Sequence, residues 1–79
     1  MNKHELMENL AAIEHSRWGD WMEHLFSRGT FLPDGNFVID KEDVNRWCRQ
    51  VAMSYDQLSE EEKDSDRREV KRYWHLIIE

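Results

Sequence analysis

The chain has few residues that break or staple a backbone. Of its 79 residues, one is cysteine, one is proline and three are glycine. A lone Cys48 cannot close an internal disulfide, so a covalently stapled fold is excluded. Cys48 falls on an apolar helix face, where a buried, reduced thiol is expected. Only Pro33 and Gly19, Gly29 and Gly35 can punctuate the chain, which leaves room for long helices. No apolar run approaches 18 residues, and no signal or lipidation motif is present. A protein of the cytoplasm, without a membrane partner, is expected. Lys and Arg number 11 against 17 Asp and Glu, a net charge of −6. Duplex nucleic acid is a poor partner for that balance.

Motifs for chemistry are missing too. His4-Glu5-Leu6-Met7-Glu8 begins like a zinc-protease helix but has Glu where the second His is needed. There is no Cys pair, no Glu-x-x-His pair, no nucleophile elbow and no Gly-rich phosphate loop. Neither metal, nor cofactor, nor enzyme activity is expected.

What the chain does have is aromatic mass and periodicity. Four Trp, three Phe and two Tyr supply large burial per residue for so short a chain. The expected fold is all-α, one domain spanning residues 1–79, with three helices and a short β-hairpin between helices one and two. Helix one should run over 3–27, with Gly29 as its stop. Residues 30–39 read as the hairpin, because Pro33-Asp34-Gly35-Asn36 is turn chemistry between short apolar runs. Asp40 should cap helix two, whose Val44, Trp47, Cys48 and Val51 form a one-face stripe. Ser59-Glu60-Glu61-Glu62 is a capping box opening helix three, over 60–77 and packed against helix one. Trp21 and Trp74 are expected in the core, beside the apolar end formed by Tyr73, Ile77 and Ile78.

Charges stand where oil is expected. Glu14 lies four residues from both Leu10 and Trp18, inside the stripe of helix one, and Arg17 shares its edge with Ile13 and Trp21. Lys63, Asp66 and Arg67 continue the face made by Val70, Trp74 and Ile77. Charges buried unpaired cost several kcal/mol each. They must pair internally, Glu14 with Lys63 or Arg67 and Asp66 with Arg17, or meet a guest. His15, one residue off the stripe, is expected half-buried and hydrogen-bonded.

Leu10-Ala11-Ala12-Ile13-Glu14-His15-Ser16-Arg17-Trp18, followed by Tyr55-Asp56-Gln57-Leu58-Ser59-Glu60-Glu61-Glu62-Lys63-Asp64-Ser65-Asp66-Arg67, resembles the ryanodine-receptor (RyR) domain. That family is a small helical module, repeated in calcium-release channels and found as short proteins in bacteria and bacteriophages. The chain departs from it in the middle third, where Arg28-Gly29-Thr30-Phe31 and Arg46-Trp47-Cys48 replace the family's usual residues. The resemblance implies a cytoplasmic module, in the host cytoplasm if phage-encoded, that binds an adenine-type or cyclic nucleotide. On that expectation Trp18, Trp47 and Tyr55 stack the base. Lys63, Arg67 and Arg17 meet phosphate, Glu14 or Asp66 accepts from an exocyclic amine or ribose hydroxyl, and His15 belongs to the same ligand-binding set. The alternative is a protein-interaction or homo-oligomerisation module without a small ligand. The Trp content and the apolar end of helix three suit it.

Overall fold

In the computed structural model, which describes residues 1–77, the chain is mainly α-helical with a two-stranded hairpin between its first two helices. The order is α1 (Lys3–Ser27), β1 (Gly29–Phe31), β2 (Phe37–Ile39), α2 (Lys41–Ala52), a 3-10 turn (Tyr55–Gln57), α3 (Glu60–Val70) and α4 (Trp74–Ile77).

Local chemistry accounts for most boundaries. The Asn2 side chain caps α1 by accepting from the Glu5 amide at 2.8 Å. At the hairpin tip the Gly35 amide donates to the Leu32 carbonyl, with Pro33 and Asp34 between them. Gly35 itself has φ +90°, a left-handed conformation that closes the loop and favours glycine. The strands pair antiparallel, with Gly29 opposite Ile39 and Phe31 opposite Phe37. Gly29 is not a left-handed helix stop; α1 ends at Ser27 with Arg28 as its cap. Glycine is needed at 29 because a Cβ there would collide with the Val38 carbonyl and the Phe37 ring. The Ser59 capping box is formed, with Ser59 and Glu62 exchanging hydrogen bonds of 3.0 and 3.2 Å. Asp40 takes the cap position of α2 but makes no side-chain cap bond.

The expected third helix is split. Beyond Val70 the bonds shorten to the i→i−3 pattern: Arg72 donates to Glu69 and Tyr73 to Val70. No Gly or Pro causes this. The tightened turn lets Arg72 reach Asp20 on α1 at 2.7 Å, and turns Tyr73 and Leu76 towards Leu6 and Leu10. The expectation for Ile78 lies outside the described residues.

Burial departs furthest from the sequence reading. Among the described residues no apolar side chain is buried, and Asp43 is the one buried polar group. Trp21 and Trp74, expected in a core, are 41% and 49% exposed. Cys48 is exposed rather than a buried thiol, because its stripe on α2 is barely covered and Val51 is 85% exposed. The molecule is flat, 48 × 33 × 16 Å. Its radius of gyration is 16.2 Å, against about 12 Å for a compact chain of this length. Phe26, Phe31 and Phe37 form an aromatic trio, with ring centroids 4.9–5.8 Å apart, which seats the hairpin on the end of α1.

Candidate functional site

A recess lies between α2 and α3, where they meet the side of α1. It is a groove of about 760 Å³ with an apolar floor, Trp21, Trp47, Val51 and Leu58, and an acidic rim, Glu61, Glu62, Asp64 and Asp66, relieved by Arg68. Trp21 meets Trp47 edge to face with centroids 5.1 Å apart, and His24 lies edge-on to Trp21 at 5.8 Å. The Arg46 guanidinium sits 5.8 Å from the centre of the Trp47 ring, a cation–π contact. A smaller recess of about 390 Å³, lined in part by Asp20, His24, Arg46 and Glu69, continues the groove past the two tryptophans.

Ion pairs tie the walls together. Asp43, 2% exposed, is held by Arg28 at 3.0 and 3.1 Å and by Arg46 at 2.8 Å. The Arg28 hydrogen bond, more than any other contact, holds the Asp43 carboxyl below its ordinary range against the opposing effect of burial. Arg49 on α2 meets Glu62 on α3 at 2.8 Å. The Glu62 carboxyl is drawn down to about 2, first by the Ser59 backbone amide, then by Arg49 and the Ser59 hydroxyl. Arg72 bridges Asp20 on α1 and Glu69 on α3, at 2.7 and 2.6 Å.

The residues expected from the sequence fall in three places. Glu14, His15, Arg17 and Trp18 stand on α1 away from the groove. Trp47 and Asp66 line the groove. Tyr55 and Lys63 meet at the start of α3, where the Lys63 ammonium lies 5.6 Å from the Tyr55 ring centre, and Arg67 stands in the helix's last turn. The expected pairs of Glu14 with Lys63 or Arg67, and of Asp66 with Arg17, are not made. Glu14 binds Arg17 at 2.6 Å instead, and Arg67 binds Asp64 at 2.6 Å and Glu60 at 3.1 Å. The reason is geometric: i, i+3 partners on one helix already lie within reach, and α1 meets α3 through Asp20 and Arg72 rather than through Glu14. His15 is exposed and stacks on Trp18 at 6.1 Å, so it is not the half-buried, hydrogen-bonded histidine expected.

Sequence reasoning missed the Arg28–Asp43–Arg46 clamp. Asp43 and Arg46 are legible as an i, i+3 pair on α2, but Arg28 arrives only through the hairpin's return. Among the described residues no helix is long and apolar enough to cross a membrane. Comparison with protein-family models, curated proteins and solved structures finds no match.

Proposed function

We propose that this chain is a protein-interaction module that works by self-association, its hydrophobic burial completed by another copy. One observation carries the reading. The chain exposes 6706 Å², whereas a folded monomer of 9.7 kDa exposes about 5,100 Å². The excess, about 1,600 Å² per chain, doubles to about 3,200 Å² over two chains, within the range of obligate homodimer interfaces. The exposed side chains have the composition of interface anchors. Trp18 is 58% exposed and Phe31 62%, and the four tryptophans all lie at or near the surface. Light scattering across a concentration series tests this. A mass of two or more chains is expected, and a single-chain mass at every concentration would refute it.

A second reading, a small anionic nucleotide as ligand, draws on the resemblance to the ryanodine-receptor domain and on the Lys63–Tyr55 pair, a half-buried cation beside an aromatic face. Against it, the groove beside the tryptophans carries four carboxylates and one guanidinium, a field that repels phosphate. A nucleotide that raises the thermal midpoint would favour it.

A further inference from the structure

We propose that the open face of α1 is the seam on which a second copy of this chain docks, antiparallel, with the two-fold axis crossing the seam between Glu14 and Trp18. This rests on the self-association reading and names where the copies meet.

Helix α1 carries two apolar stripes, not one. Leu6, Leu10 and Ile13 are half-buried, the first two towards Tyr73, Leu76 and Ile77 of the C-terminal turn and α4. The second stripe is Met7, Ala11, Trp18, Met22 and Leu25, at i, i+4, i+11, i+15 and i+18. That spacing holds one face of a helix for about 27 Å. Among the described residues nothing covers the outer part of it: Met7 is 66% exposed and Trp18 58%. The one gap, at i+7, is Glu14, neutralised by Arg17 on its own helix.

The order of residues selects the direction. In an antiparallel pairing centred between Glu14 and Trp18, Met7 faces Leu25 of the second copy and Ala11 faces Met22, so a small side chain meets a large one. Glu14 then comes opposite Trp18 of the second copy at the centre of the seam, with its charge already met by Arg17 on its own helix. A parallel pairing would set Glu14 against Glu14 and bulky Trp18 against Trp18. Self-complementarity under a two-fold rotation is what an isologous interface requires. The groove between α2 and α3 is a poorer seat for a copy of net charge −6, because its rim is itself acidic. An extended helix face with its charges internally paired is the better match, and it supplies part of the missing burial.

Cysteine pairs test the geometry. On a Cys48→Ser background, chosen because Cys48 is exposed, Ala11→Cys and Met22→Cys are prepared separately and oxidised with diamide. An equimolar mixture is expected to give the covalent dimer, with Ala11→Cys alone remaining unlinked. Self-linking of Ala11→Cys alone would mean a parallel seam and overturn the proposal, as would absence of the mixed link in a protein that light scattering finds oligomeric. Trp18→Glu is expected to reduce the mass to that of a single 9.7 kDa chain, whereas Trp74→Glu, off the seam, keeps the oligomer. A Trp18→Glu protein that stays oligomeric would also refute this seam. If the wild-type chain has a single-chain mass throughout, self-association itself fails, and that outcome is distinct from an oligomer without the seam.

Discussion

Among the described residues Asp43 and Glu62 are the carboxylates with lowered pKa values, and both join separate elements. Asp43 ties α2 to the end of α1 through Arg28, and Glu62 ties α3 to α2 through Arg49. A carboxylate whose folded pKa lies below its ordinary value adds stability above that ordinary value and loses it as pH falls towards the folded one. Glu62 therefore contributes fully above about pH 4.5, and its contribution drains away between 4.5 and about 2; Asp43 acts in the same direction. Thermal melts from pH 7 downward should hold a steady midpoint to near pH 5 and then fall. Glu62→Gln should start lower at neutral pH and lose less on acidification. An unaltered acid profile in that variant would show that the Glu62 contacts contribute no net stability.

At the scale of elements, two glycines make opposite predictions for one substitution. Gly29 begins β1 where a Cβ meets backbone, the Val38 carbonyl, which cannot swing aside as a side-chain tip would. Gly29→Ala should destabilise by about 1–3 kcal/mol, read as a lower urea midpoint. Gly19 sits within α1 with no atom within 4 Å of a Cβ. There Gly→Ala should stabilise by up to about 1 kcal/mol. Elements were largely legible in advance. Ser59, Pro33-Asp34-Gly35 and the long uninterrupted α1 are local signals read within a few residues. The break at 71–73 was not legible: no Gly or Pro marks it, and the Arg72–Asp20 contact that accompanies it joins residues 52 positions apart.

For the whole molecule, the flat shape and the absence of buried apolar side chains among the described residues bear on stability directly. A chain that buries so little has small hydrophobic stabilisation by itself, so folding and association should be one equilibrium. The thermal midpoint should then depend on protein concentration. A hundredfold dilution removes about 2.7 kcal/mol, which lowers the midpoint of a two-chain unit of this size by roughly 5–10 °C. A midpoint independent of dilution would indicate that a single chain is stable on its own, and the self-association reading would fall.

Particular residues separate what sequence determined from what only tertiary structure decided. The first two helices, the start of the third, the hairpin and the Ser59 cap came from the sequence alone, because capping, turn chemistry and periodicity act over three or four residues. The anomalous charges Glu14, Arg17 and Arg67 were also visible as anomalies, but their partners were not. Helical geometry gave them neighbours on their own elements, while the links between elements fell to Arg28, Arg49 and Arg72, which no local pattern distinguishes. Periodicity marks a face as apolar without saying what covers it. Only the packing showed that Trp18 and Met7 lie open and that Trp21 meets Trp47, since burial depends on where distant elements come to rest.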